Sequence, residues 1–247
     1  MRRGTWRAWG LATLIAVTTA GCGVLPPLPE PVPSEITPSG AAGLEPALGS
    51  DPLSPDGFDA VQRMAVRVRN VGCDELSTGS GFAIDKHTLI TNKHVVADSS
   101  NLQVSTYDGR DIDVGTAATA ALADLAIVRT RDALPSFPEL AEADPEQGDD
   151  VTIIGYPSGG ELTISSGLVI GSTRDPLNAN LGEVLVTDAK VEPGSSGSAA
   201  LDSQGRVIGV VYAKTADDDS LLVPISTVRE MLSDSAAFED VTTCTGS

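Results

Sequence analysis

SGFAIDKHTLITNKHVV, residues 80–96, decides the reading of the fold. Ser80–Ile84 and Thr88–Asn92 are short runs rich in apolar and β-branched residues, and Asp85-Lys86-His87 between them has the composition of a hairpin turn. Working outward, similar runs bounded by Gly, Asp, Asn and Pro recur near 61–69, 102–107, 111–115 and 125–130. Residues 133–150 (ALPSFPELAEADPEQGDD) are polar and broken by proline, so they read as a connector. A second series follows near 151–155, 162–171, 183–187, 198–202, 206–213 and 221–225. Six strands, a connector and six strands predict an all-β chain of two six-stranded antiparallel β-barrels, because closure removes exposed sheet edges. Barrel one would span about 58–135 and barrel two about 148–225. A C-terminal α-helix over about 226–234 would complete the folded domain of 58–247, with Thr227 and Glu230 as a capping box and Val228, Met231 and Leu232 as its apolar face.

Composition narrows the partners. The 247 residues carry a formal net charge of −18, which disfavours nucleic acid, whose phosphates need Lys and Arg. Aromatic residues make up only 4%, so the core must be built from Val, Leu, Ile and Ala. Residues 1–21 read as an export signal. Arg2, Arg3 and Arg7 precede the uncharged run Ala8–Gly21, which is shorter than the roughly 20 residues of a spanning helix. Its end, Thr19-Ala20-Gly21-Cys22, resembles a bacterial lipobox, so Cys22 is the expected lipidation site; ordinary cleavage nearby is the alternative. Residues 22–57 hold nine of the sixteen prolines and no hydrophobic period, the composition of an extended, disordered spacer. The expected location is therefore extracytoplasmic, with a lipid anchor in the cell membrane, or else secreted. With Cys22 acylated, Cys73 and Cys244 are left as an even pair in an oxidising compartment. A disulfide between them would close a loop of some 170 residues, worth about 4–5 kcal/mol in the chain-entropy model. Two free thiols are the other possibility.

Chemistry concentrates in Glu192-Pro193-Gly194-Ser195-Ser196-Gly197-Ser198. A serine between glycines on a tight turn can present its hydroxyl while backbone N–H groups converge on an oxyanion; such a turn can equally be a plain hairpin. There are two histidines. His87 sits in the turn, while His94 follows a strand and is the candidate base, although a core histidine would fit the same place. Asp124 opens the apolar run Leu125-Ala126-Ile127-Val128, where a carboxylate needs a partner, either a salt bridge or an imidazole N–H. No histidine follows Ser196, which excludes the Ser…Asp…His order; His…Asp…Ser is the order available.

These segments resemble the trypsin-like serine peptidases of the HtrA (Deg) branch. Ser80–Ile84 with Leu89–Val96 is similar to the family's histidine segment, Asp124-Leu125-Ala126 to its aspartate motif, and Thr187-Asp188-Ala189 through Gly197 to its nucleophile segment. The likeness covers about residues 62–232, and the Cys73 and Cys244 placement is similar to actinobacterial membrane-tethered proteases. It implies a serine endopeptidase acting on protein or peptide substrates. Ser196 would be nucleophile, His94 base and Asp124 its orienting carboxylate, with backbone N–H groups of Gly194, Ser195 and Ser196 as the oxyanion hole. By register, Lys190 would lie near the base of the pocket for the residue preceding the scissile bond (P1), and Val211, Tyr212, Ala213 and Lys214 would form its wall. The two lysines raise an acidic or polar P1 residue, unless both ammonium groups point to solvent. No cofactor, metal set or phosphate loop is expected, and no PDZ domain fits. Three departures stand out: Ser195 where the family has Asn or Asp, Ser198 for Gly, and Ala199 for Pro. An inactive fold acting as an anchored peptide-binding module and a structural envelope lipoprotein are the rival readings.

Overall fold

The structure is a computed structural model that describes residues 58–120, 123–177, 182–241 and 244. The expected signal, Cys22 and the spacer to residue 57 lie outside the described residues. Helix α1 (Ala60–Met64) leads into strands β1 (Ala65–Gly72), β2 (Leu76–Asp85) and β3 (Thr88–Thr91), then a one-turn helix α2 (Lys93–Val96). Strands β4 (Ser99–Thr106), β5 (Asp111–Ile112), β6 (Val114–Ala120) and β7 (Ala126–Thr130) complete the N-terminal half. After the connector come β8 (Asp150–Gly155), β9 (Thr163–Arg174), β10 (Glu183–Thr187), β11 (Ala199–Leu201), β12 (Val207–Lys214) and β13 (Ser220–Pro224). Helix α3 (Ile225–Ser233) and a last strand, β14 (Phe238–Asp240), end the fold.

The second series of strands closes as expected into a six-stranded barrel, β10-β13-β12-β11-β8-β9, with every pairing antiparallel. The first series forms an eight-stranded sheet, ordered β14-β6-β7-β3-β2-β1-β4-β5. It curls until β4 and β6 flank a groove of about 390 Å³, but no ladder joins those two strands. The two additions to the expected six strands have physical causes. The run read as one strand at 111–115 breaks at Asp113 into β5 and a longer β6. The free edge of β6 then takes up β14, with Phe238 opposite Ala120.

Period-two alternation distributes the core. Val66 and Val68 of β1, Ala83 of β2 and Leu89 of β3 point into the first sheet's interior. Their neighbours Ala65, Phe82 and Ile90 pack with the second barrel's cluster instead, sealing the seam between the halves. Tyr156 is buried in that seam, and burial pushes its hydroxyl pKa up to about 12. The core is almost wholly Val, Leu, Ile and Ala, as the low aromatic content requires.

Two local readings are corrected. The expected strand at 61–69 begins as α1, where Asp59 and Gln62 form a reciprocal capping box. Helix α3 has no such box from Thr227 and Glu230. Its N-cap is Pro224, and the connector's Asp144 accepts both the Ser226 N–H (2.8 Å) and its hydroxyl (2.6 Å). The apolar face itself is as expected, with Val228 and Met231 buried and Leu232 packed beside them.

Cys73 and Cys244 are joined, tying the β1–β2 turn to a residue just past β14 across 171 positions. Loop-closure entropy on that span is worth about 5 kcal/mol in the chain-entropy model. Cys73→Ser with Cys244→Ser is expected to lower the unfolding free energy by about 2–5 kcal/mol in urea melts. A change below about 0.5 kcal/mol would mean the tail is held by β14 pairing alone.

Candidate active site

Strand register brings His94 and Asp124 together. Thr91 at the end of β3 pairs with Ala126 at the start of β7, so the residues just after one face those just before the other. Asp124 then clasps His94 twice: Oδ2 lies 2.6 Å from the ring Nδ1, and Oδ1 accepts the His94 backbone N–H at 3.0 Å. Buried Asn92 holds the far side of the carboxylate residue, donating from Nδ2 to the Asp124 carbonyl at 2.7 Å. A carboxylate on Nδ1 fixes the tautomer that leaves Nε2 free to accept a proton. The ring is half exposed, at 49% of its side-chain surface.

The Ser196 turn packs against the same region. A Cβ on Gly79 would meet the Val95 side chain at 2.6 Å and the Ser196 carbonyl at 3.1 Å, so a bare Cα there lets α2 and the turn approach. Ser80 then anchors the turn with both its polar groups. Its N–H donates to the Ser196 carbonyl (2.8 Å), and its hydroxyl donates to the Gly194 carbonyl (2.9 Å) while accepting from Tyr156 N–H (2.8 Å). Gly197, at φ +87°, sits where any Cβ would strike the Ser80 carbonyl. Among the described residues, no hydrogen bond links the Ser196 hydroxyl to His94.

Accounting for the turn's N–H groups is informative. Ser195 N–H donates to Glu192 O (3.0 Å), Gly197 to Val211 O (2.8 Å) and Ser198 to Ser195 O (3.0 Å). Pro193 has none. Gly194 and Ser196 N–H are left without an acceptor among the described residues. Ser195 therefore does not supply the oxyanion donor expected of it, because its N–H closes the turn. The two adjacent hydroxyls also separate: Ser195 is 4% exposed with its hydroxyl accepting from Glu192 N–H at 3.4 Å, whereas Ser196 is half-buried and open to the cavity beside it.

That cavity has a volume of about 100 Å³ and is walled by Val191, Glu192, Pro193, Val211, Ala213 and Lys214 next to Ser195 and Ser196. Lys190 and Tyr212 are not among its walls. Lys190 Nζ turns to the Asp218 carbonyl (3.1 Å) and the Asp219 carboxylate (3.5 Å), and Lys214 Nζ pairs with Asp218 at 2.8 Å. Lys214 in turn holds the Asp218 carboxyl below the usual range, by a hydrogen bond and by charge. Tyr212 is the bulged residue between Val211 and Ala213, and its hydroxyl donates to buried Asp175 (2.8 Å). Burial, then that bond, raise its pKa strongly.

The departure at Ser198 is accommodated in space, although its hydroxyl is buried without a hydrogen-bond partner among the described residues. Its buried side chain fills the space of the missing Cβ on Gly155, which would come within 1.8 Å of the hydroxyl. Ala199 is an ordinary buried residue of β11. His87 is exposed in its turn, with its N–H on Asp85. A larger cavity, about 460 Å³, lies at the connector, and three of its five carboxylates are engaged: Asp144 with Ser226, Asp149 with Glu146 N–H, Asp202 with Arg206. Sequence reasoning missed Ser80 and the Tyr156–Gly160 turn as parts of the site; the turn contributes through its backbone, and the Ser80 hydroxyl acts on backbone groups of distant segments, which residue types do not reveal.

Comparison with known proteins agrees with this arrangement. The family described as "Trypsin-like peptidase domain" matches residues 79–210, more than half of the chain. Serine protease HTRA2, mitochondrial, of Bos taurus is 35% identical over 164 residues, 64% of this chain and 36% of that protein. Serine protease Rv3671c of Mycobacterium tuberculosis is 31% identical over 190 residues, 72% of this chain and 46% of that one. The chain thus spans about a third to a half of these relatives' lengths. The crystal structure of the Rv3671c protease in its active form superposes with a TM-score of 0.66 at 26% identity, covering 75% of this chain and 85% of that one. Together with the histidine, aspartate and serine segments, these matches make the chain a member of the trypsin-like peptidase family, on its HtrA/Deg branch.

Proposed function

We propose that the protein is a serine endopeptidase that hydrolyses peptide bonds of extracytoplasmic proteins through His94, Asp124 and Ser196. The observation that carries this reading is the pair of unengaged N–H groups, Gly194 and Ser196, beside a serine hydroxyl and an Asp-clasped imidazole. Ser196 Oγ attacks the scissile carbonyl while neutral His94 takes its proton at Nε2. The carbonyl oxygen gains negative charge and moves between the two N–H groups, which are in place before the reaction starts. His94 then protonates the leaving amine, and water repeats the sequence on the acyl-enzyme. The Ser196 hydroxyl would close on His94 Nε2 as substrate binds, since catalytic hydrogen bonds tighten in the Michaelis complex.

The cavity beside Ser196 selects P1. At about 100 Å³ it is smaller than the roughly 150 Å³ that an apolar cavity needs for a benzene ring. Its valine and alanine walls suit a short aliphatic side chain, and the lysines are neutralised by Asp218 and Asp219, which removes the case for an acidic one. An extracytoplasmic site of action agrees with the export signal in the sequence, and the lipid on Cys22 would tether the enzyme to the membrane. A fluorophosphonate probe is expected to label the protein at Ser196, and a peptide library is expected to show Val or Ala at P1. Absence of labelling at any pH, or cleavage confined to Asp and Glu, would overturn the corresponding half of the proposal.

A further inference from the structure

The Gly194 N–H can serve only if the Pro193–Gly194 peptide faces the right way. In a trans peptide the C=O and N–H point in opposite directions, so whatever holds the Pro193 carbonyl also aims the Gly194 N–H. That carbonyl accepts from Ser158 N–H at 2.7 Å. Ser158 belongs to a single 3-10 turn, Pro157–Gly159, and has φ +54°, a left-handed conformation that costs a non-glycine residue energy. The fit is close: a Cβ on Gly194 would come within 2.3 Å of Ser158 N.

The strained turn is fastened from the other half of the molecule. Arg67 on β1 donates from a guanidinium nitrogen to the Gly160 carbonyl at 2.5 Å, and its guanidinium lies 4.8 Å from the centroid of the Tyr156 ring. It thereby grips the turn at both ends, Tyr156 before it and Gly160 after it. Ser80 adds a second tie at the Tyr156 N–H.

We infer that Arg67 is a positioning residue for the oxyanion hole: across the seam between the halves it holds the Tyr156–Gly160 turn, whose Ser158 N–H orients the Pro193–Gly194 peptide. This rests on the catalytic reading above. Arg67 touches no reacting atom, and its effect passes through backbone.

The test uses the whole protein, a fluorogenic peptide with Val at P1, and a peptide aldehyde of the same sequence, whose hemiacetal oxygen needs the hole. Arg67→Ala is expected to lower kcat about 10–100-fold, a part of the 10²–10³ that follows loss of a whole donor. KM should stay within about twofold while aldehyde affinity falls in parallel with kcat. Arg67→Lys keeps a cation near Tyr156 but lacks the forked guanidinium, so it should fall between Arg67→Ala and wild type. Thermal melts identify the folded variants, and Arg67→Lys decides the matter if Arg67→Ala does not fold. A folded Arg67 variant with wild-type kcat and aldehyde affinity overturns the positioning role alone. A rise in KM with kcat unchanged also overturns it, by assigning Arg67 to substrate binding. A wild-type protein inert to both peptide and aldehyde overturns the endopeptidase reading itself.

Discussion

Ser196→Ala is expected to lower kcat by about 10⁶-fold, the scale set by removal of the nucleophile from an enzyme of this chemistry. Both serines line the cavity, but Ser195 is 4% exposed and its hydroxyl accepts from Glu192 N–H, whereas Ser196 is half-buried, so Ser195 is not expected to substitute for it. The fold should be untouched, because the turn is held through the Ser196 carbonyl rather than its side chain. His94→Ala should match that loss, and the double variant should be no worse than either, since the two groups act as one unit. His87→Ala is the control: exposed in its turn, it should leave the rate unchanged. Progress curves with a P1-Val peptide measure all four, and a Ser196→Ala protein within tenfold of wild type would end the triad assignment.

Asp124→Asn carries the second large effect, about 10⁴-fold in kcat at neutral pH. The carboxylate accepts from Nδ1 at 2.6 Å and so keeps the proton on that nitrogen. An amide can turn its NH2 toward Nδ1 instead. The imidazole then carries its proton on Nε2, where it cannot accept from Ser196. Binding should barely change, so the loss should fall in kcat rather than KM. Melting should also shift little, because the amide oxygen can keep the 3.0 Å bond to the His94 N–H. A loss below tenfold would show that Asp124 is only a structural partner of the α2 turn.

Much of this was legible in the residues, and the gaps share one cause. Strands announce themselves by composition and alternation, and β7 to β13 fall within a few residues of the runs that suggested them. The His–Asp–Ser order could be read because each candidate sits in a short, distinctive segment. Contacts between distant segments left no such trace. Asp144 caps α3 from 82 positions away, and nothing in Asp144 itself points to Ser226. The same holds for β14, whose sequence is merely polar and short until the free edge of β6 gives it a partner. At α1 the pattern was present but misjudged: Asp59-Ala60-Val61-Gln62 carries the capping box that was sought at Thr227 and Glu230. The lysines left two readings open for a different reason. Lys214 does line the cavity and Lys190 does not, and the carboxylates that engage them depend on how the Thr215–Asp219 loop folds back.

The last strand also governs when the molecule can be finished. β6 gains its outer neighbour from residues 238–240, and the covalent link beyond it reaches back to Cys73. That flank of β6 therefore stays bare until residues 238–240 are present, and such long-range closure is slow to reach. Until then the outer edge of β6 is an unpaired strand, open to pairing with another chain.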